Sequence, residues 1–185
     1  MIVGLIGRAG SGKTHAQTLI KAHFGCWIID LDQLGHYCLG LDFVKARLVD
    51  QFGAEIMTDA GQINRSNLAE KVFSEKASLT ALNRIIHPVM KEQVVAQLEP
   101  LQGQPGVIVG AVLLEIGLRA YCDYIVVIDA EDDAIFKQSG NRAIRAHSSQ
   151  RSRDEYRHVA DDIVKNTFDD AFKKNLLSTF ENLAF

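Results

Sequence analysis

The tightest constraint on this chain lies close to its N-terminus. Gly7-Arg8-Ala9-Gly10-Ser11-Gly12-Lys13-Thr14 spells G-x-x-x-x-G-K-[ST] directly after the apolar run Ile2-Val3-Gly4-Leu5-Ile6. From Thr14 to about His23, Ala16, Leu19 and Ile20 then recur at helical spacing. Strand, glycine bend and helix in that order are the context a chance glycine turn followed by Lys-Thr would lack. Glycines let successive backbone N–H groups curl inward around phosphate oxygens, and a helix start adds unpaired donors and partial positive charge. In this reading Gly7, Arg8, Ala9, Gly10, Ser11 and Gly12 form a cradle for the phosphates of a nucleoside triphosphate. Lys13 reaches the β- and γ-phosphates, and Thr14 offers its hydroxyl to Mg2+.

Other short runs, apolar on both faces, follow this pattern. They are Cys26-Trp27-Ile28-Ile29 ending at Asp30, Gly106-Val107-Ile108-Val109, Tyr124-Ile125-Val126-Val127-Ile128 and Asp162-Ile163-Val164. Separated by helical stretches, they predict an α/β fold whose five-stranded parallel sheet is covered on both faces. With the glycine loop, this is a three-layer sandwich of the P-loop NTPase type. Residues 41–101 carry helical periodicity and no strand pattern. Phe43, Ala46, Leu48 and Phe52 suit one helix, and Leu68, Val72 and Phe73 another, opened by Asn64 or Ser66. Leu79, Leu82, Ile85 and Ile86 suit a third, with Pro88 marking a break or a fresh start before Val94, Val95 and Leu98. Residues 137–158 set Lys137, Arg142, Arg145, Arg151, Arg153 and Arg157 against only Asp154 and Glu155, with few large apolar residues. They predict an exposed, Arg-bearing lid. Phe172, Leu176, Leu177, Phe180 and Leu183 predict a last helix that closes the core. The chain reads as one domain over 1–185: a core from 1–40, 102–136 and 159–185, a helical acceptor-binding insertion at 41–101, and a lid at 137–158.

Composition narrows the partners. The formal net charge of −3 gives no global attraction to nucleic acid or an anionic membrane, so an anion site has to be local. Three cysteines, Cys26, Cys38 and Cys122, show no metal-like spacing and form no disulfide framework. No basic, apolar and small-residue segments follow one another as in a signal peptide, and no apolar run approaches membrane-spanning length. A cytoplasmic protein, monomeric or a weak homo-oligomer, is the expectation.

A phosphate loop does not identify the acceptor. A base-reading N-K-x-D motif is absent from the sequence, and a short chain with a helical insertion suggests a small-metabolite kinase. Asp30 and Asp32 lie at the C-terminal edge of the second strand, where open α/β sheets place ligands. Asp32 would take the proton of an acceptor hydroxyl or orient it, and either carboxylate would hold metal-bound water. The alternative is that one of them caps the next helix. His36 follows one helical turn after Asp32, as an acceptor contact or a surface residue.

Several motifs together resemble the dephospho-coenzyme A kinase family. Gly4-Leu5-Ile6-Gly7-Arg8-Ala9-Gly10-Ser11-Gly12-Lys13-Thr14 is similar to that family's opening, and Ile29-Asp30-Leu31-Asp32-Gln33-Leu34-Gly35-His36 to its I-D-A-D-x-x-x-H segment. Asn64-Arg65 through Val72-Phe73, and Leu82 through His87-Pro88, match its D-R-x-x-L-x-x-x-V-F and L-x-x-I-x-H-P runs. Gln150, Ala160-Asp161, Val164 and Asn166 follow its C-terminal pattern. The resemblance implies ATP-dependent phosphorylation of the ribose 3′-hydroxyl of dephospho-coenzyme A, with Mg2+. It implies that Asp32 is the base or orienting carboxylate, that Arg65 binds acceptor phosphate or supports the reacting groups, and that His87 and Pro88 shape the acceptor site. Arg142 or Arg145 would reach the transferring phosphoryl, and Asn166 would lie near the nucleotide base. Rival readings are a nucleoside or nucleotide kinase and a non-catalytic ATP-binding module.

The chain departs from the family pattern in three places. Val109-Gly110-Ala111 stands where members carry D-x-P, which leaves Asp30 or Glu115 to steady the metal. The lid's R-x-x-x-R pair is broken, with Arg142 and Arg145 three apart and Ala146 in the second position. Arg8 replaces a small loop residue, to contact phosphate from outside or to face water, and His15 follows Thr14.

Overall fold

The structure, a computed structural model, describes residues 1–183 and 185; the side chains at 74, 76, 141, 142, 144 and 145 lie outside the description. The strands are β1 (Ile2–Ile6), β2 (Trp27–Asp30), β3 (Gly106–Val109), β4 (Tyr124–Asp129) and β5 (Asp162–Lys165). They form one parallel sheet in the order β2-β3-β1-β4-β5. The helices are α1 (Lys13–Phe24), α2 (Leu31–Cys38), α3 (Asp42–Phe52) and α4 (Arg65–Ser74). After them come α5 (Lys76–Leu98), α6 (Asp132–Ala146), α7 (Arg153–His158) and α8 (Asp170–Asn182).

Alternation along β1 explains why the sheet is covered on both faces. Val3 and Leu5 join Val107, Val109, Val126 and Ile128 in one cluster with Ala16 and Ile20 of α1 and Phe172, Leu176 and Phe180 of α8. Gly4 faces the other way, close to Ile125, Leu113 and Cys122. Both side-chain sets leave water, each large apolar residue contributing about 1.5–3 kcal/mol. Strand order reverses at β1, which has β3 on one side and β4 on the other. The crevice beyond the C-terminal ends of such strands is where the fold receives ligands, and residues 7–12 run through it.

Contacts divide the chain into two compact units, Met1–Leu31 with Leu101–Phe185, and Asp32–Pro100. The first contains the sheet. The second is helical and buries Val44, Leu48 and Phe52 of α3, Leu68 and Val72 of α4, and Ile86, Val89, Met90 and Val94 of α5. Asn64 opens α4 by accepting the N–H groups of Ser66 and Asn67, at 3.1 and 3.2 Å.

Three local expectations are corrected. α5 continues through Pro88 rather than restarting there. An interior proline costs about 3 kcal/mol, which the buried side chains on both sides of it offset. Phe43, Ala46 and Phe73 do not belong to the buried stripes. The stripe of α3 is Val44-Leu48-Phe52, phased one residue later, and Phe43 lies outside under Arg47, whose guanidinium carbon is 5.9 Å from the ring centroid. Within residues 150–157 Tyr156 is anchored rather than solvated, being 1% exposed with its hydroxyl donating to Ala111 O at 2.8 Å. All three cysteines are buried and unpaired; burial pushes the Cys122 thiol up to about 12.

The β2–β3 register rests on a close approach. A Cβ on Gly106 would fall 1.9 Å from Cε2 of Trp27, its partner in the ladder. Gly106→Ala is therefore expected to lower stability by about 1–3 kcal/mol in urea unfolding and to shift the emission of Trp27, the chain's single tryptophan. An unchanged midpoint with unchanged emission would contradict this register.

Candidate active site

The bend after β1 is built to face an anion. Gly12, with φ 100°, caps α1; no side chain caps this helix end, and its first turn carries no acidic residue. The partial positive charge of the helix start is therefore left for a ligand. A Cβ on Gly12 would lie 2.1 Å from Nδ2 of Asn166, so only glycine fits. Lys13 folds back along the loop, 8% exposed, and its Nζ donates to the carbonyls of Gly7 and Arg8, each at 2.9 Å. Arg8 O also accepts from Ser11 N–H at 3.1 Å. Ser11 Oγ is buried and, among the described residues, has no hydrogen-bond partner. Thr14 is exposed at the mouth of the loop.

The loop is braced from three sides. Asn166, 2% exposed, donates from Nδ2 to Ser11 O and accepts Phe168 N–H at Oδ1, both at 2.8 Å, while its own N–H reaches Asp129 O at 2.7 Å. Phe168, next to this brace, holds a left-handed φ of 61°. Ala9 N–H donates to Gln150 Oε1 at 2.8 Å, and Ala9 O lies 2.9 Å from His147 Nε2. The Arg8 guanidinium corrects both readings of that residue, being 9% exposed and turned to the end of β4. There it donates to Ala130 O at 3.0 Å and pairs with Asp132 at 2.7 Å. A carbonyl and a carboxylate satisfy the charge better there than water alone would. Arg8 lends its backbone to the loop, and its side chain is spent elsewhere.

Two arginines of the basic segment are held by carboxylates. Arg151 pairs with Glu115 at 2.6 Å. Arg153 grips Asp129 with both Nε and Nη2, at 2.6 and 2.7 Å, and Glu131 as well. Burial works to raise the pKa of Asp129, but the hydrogen bonds and charge of Arg153, aided by Arg157 and Arg8, outweigh it and hold the carboxyl low. Hydrogen bonds to Asp129 and Glu131 in turn raise the pKa of Arg153. Ser152 and Glu155 form a capping box at the start of α7. The side chains of Arg142 and Arg145 lie outside the described residues; their backbone follows Gly140, where α6 is broken by φ 64°, ψ −165°.

Among the remaining expected site residues, Asp30 ends β2 opposite Val109 and accepts from Gln17 Nε2 at 3.0 Å. Asp32 stands in the first turn of α2 and His36 one turn later, both exposed. Gly35, between them, packs on Met90 of α5, the helix that carries half-buried His87 and exposed Pro88. Arg65 is the first residue of α4 and exposed. The sequence reading missed Asp129, Glu131, Asp132 and His147. Asp129 could have been found by the rule that picked Asp30, a carboxylate at the C-terminal end of an apolar strand. Among the described residues no three His, Cys, Asp or Glu side chains converge on a metal position.

A glycine loop at the reversal point of a parallel sheet, leading into an uncapped helix with its lysine folded back, defines a nucleotide-binding protein of the P-loop fold. The fold is shared with TT1252 of Thermus thermophilus, at TM-score 0.83 and 22% identity over 100% of this chain and 98% of that one. It is shared less closely with shikimate kinase of Acinetobacter baumannii, at TM-score 0.57 and 12% identity over 99% and 92% of the two chains. The family model for dephospho-CoA kinase matches residues 1–170, and the chain belongs to that family. Relatives of that description include the Dehalococcoides mccartyi protein, 37% identical over 76% of this chain and 72% of its own length. The Vibrio parahaemolyticus protein is 30% identical over 92% and 87% of the two lengths. The chain is thus a phosphotransferase of the final step of coenzyme A synthesis, with ATP as donor.

Replacing Arg153 tests the network beside the loop. Arg153→Met strands the Asp129 carboxylate and is expected to cost about 3 kcal/mol at pH 7. Because the carboxyl's pKa is held low, its stabilisation is complete above the unfolded value near 4 and is lost as pH falls through the native value. Urea midpoints of the parent and Arg153→Met should differ constantly from pH 8 to about 5 and converge below about 4. A gap that widens in acid would refute the pairing.

Proposed function

We propose that the chain moves the γ-phosphoryl of ATP directly to the ribose 3′-hydroxyl of dephospho-coenzyme A, giving coenzyme A and ADP with no phosphoenzyme. The observation that supports this most is the uncapped, acid-free start of α1 with Lys13 folded over the loop carbonyls. Transfer of this kind needs little covalent chemistry from the protein; positioning and charge stabilisation supply the rate. Gly7 to Gly12 hold the triphosphate, and Lys13 meets charge as it develops on the moving group. Asp32 orients the acceptor hydroxyl and takes its proton. Arg65, Arg142 and Arg145 meet charge around the transferred phosphoryl, while His36, His87 and Pro88 shape the acceptor side. The division of labour follows the sequence reading, with acceptor recognition in 41–101, nucleotide binding in the sheet core and residues 137–158 as the lid.

The donor set fits Mg2+ delivered with the nucleotide, since that ion takes one or two protein oxygens and substrate phosphates rather than a protein cage. Thr14 and Asp30 would hold it; Glu115 is drawn off by Arg151. When bound, the ion neutralises phosphate charge. No described helix is long and apolar enough to cross a membrane. A cytoplasmic enzyme, monomeric or weakly self-associating, is the reading carried from the sequence, whose formal net charge of −3 gives no global attraction to nucleic acid or an anionic membrane.

The test is ADP release with dephospho-coenzyme A, with nucleosides and nucleoside monophosphates, and without acceptor. Turnover is expected with dephospho-coenzyme A alone. Asp32→Asn should lower kcat at least about 100-fold with little change in KM for ATP, whereas Lys13→Ala should abolish transfer. Turnover on a nucleoside but not on dephospho-coenzyme A, or full activity of Asp32→Asn, would overturn the assignment.

A further inference from the structure

His147 belongs to no motif, yet it touches the phosphate loop at its most deformable point. A peptide unit is planar and trans, so its C=O and N–H point in opposite directions. The Arg8–Ala9 unit sends its N–H to Gln150 and its carbonyl to Lys13 Nζ. The Ala9–Gly10 unit sends its carbonyl to His147. Its N–H, which belongs to Gly10, is thereby turned away from residues 147–150 and donates to no other described residue. Nothing intrinsic to the chain keeps it so. Gly10 sits at φ 77°, and a glycine lets the adjoining peptide unit rotate at little steric cost.

The surroundings of the imidazole define its form. Ala9 O only accepts, so Nε2 carries the proton. Nδ1 lies 3.4 Å from Arg8 Nη1 and 3.8 Å from Asp132 Oδ1. Arg8, itself paired with Asp132, thus stands behind the ring on the side away from Ala9 O. This gives the buried Arg8 guanidinium an outlet that neither phosphate contact nor solvation supplied.

We propose that His147 is a positioning residue for phosphoryl transfer. By holding the Ala9 carbonyl outward it keeps the Gly10 N–H aimed into the cradle, as a donor to the phosphate oxygens of the nucleotide. Gln150 does the same for the preceding unit, fixing the carbonyl that Lys13 uses. This inference rests on the phosphoryl-transfer reading above and adds to it a residue that touches no substrate. Complete loss of a preorganised backbone donor to developing charge costs about 10²–10³ in rate, and partial rotation of the unit costs less.

Three variants and one spectroscopic reading decide it. His147→Gln keeps an N–H donor for Ala9 O, and His147→Phe keeps ring bulk without one. His147→Ala keeps neither. The expected result is a fall in kcat of about tenfold or more for Phe and Ala, with KM for dephospho-coenzyme A unchanged, and recovery to within about threefold of the parent for Gln. A packing role would give the reverse order, with Phe active and Gln impaired, and would overturn the proposal. Independently of turnover, the 15N–1H resonance of Gly10 in the parent protein should shift on titration with inorganic pyrophosphate, and shift less in His147→Phe. A Gly10 resonance that stays still while those of Gly12 and Lys13 move overturns the proposal even if the variants fail to fold. A parent protein whose Gly10 responds to pyrophosphate but which shows no transfer to dephospho-coenzyme A would sink the functional reading and leave this one standing.

Discussion

A loop that offers its N–H groups to an anion must send its carbonyls somewhere else, and each of those carbonyls then needs a donor. Much of the architecture around residues 7–12 meets this requirement. Gly7 and Arg8 give their carbonyls to Lys13, Ala9 to His147 and Ser11 to Asn166. These donors come from the start of α1, from the turn after α6 and from the loop after β5. Segments far apart in sequence are committed to one short bend. An unsatisfied buried carbonyl costs on the order of 1–3 kcal/mol, so the bend and its supports stand or fall together.

The charges nearby obey a similar economy. A phosphate site needs cations, but unpaired buried cations are costly in the unliganded protein. Arg8, Arg151 and Arg153 are each held by a carboxylate, namely Asp132, Glu115 and Asp129. The pairs of Arg151 and Arg153 tie their segment to the stretch after β3 and to the end of β4. The positive potential offered to a ligand comes from backbone dipoles and from Lys13, whose ammonium donates to the carbonyls of Gly7 and Arg8.

The fold was legible because its signals are local and repeated. Five two-sided apolar runs, a glycine loop after the first and helical spacing between them lead directly to the parallel sheet. The phase of the individual helices was harder. Phe43 beside Val44, and Val72 beside Phe73, offer two apolar faces, and only the packed partners choose between them. Pro88 misled for a related reason, since a local penalty was overruled by burial on either side of it. The residues read from the loop pattern do form the bend between β1 and α1. Arg8 and His147 were opaque because their roles are set by partners up to 139 positions away, and no spacing rule reaches that far.

The continuous course of α5 through Pro88 has a bearing on how the helical unit breathes. A proline has no N–H, so the carbonyl of Arg84 lacks its usual helical donor. The ladder of hydrogen bonds is interrupted at that rung although the axis runs on. Fraying that begins at Leu98 can therefore stop there before it unwinds the turns around Leu82 and Ile86, and amide exchange along this helix should divide into two cooperative blocks. A single long rod in space thus behaves as two short ones in time.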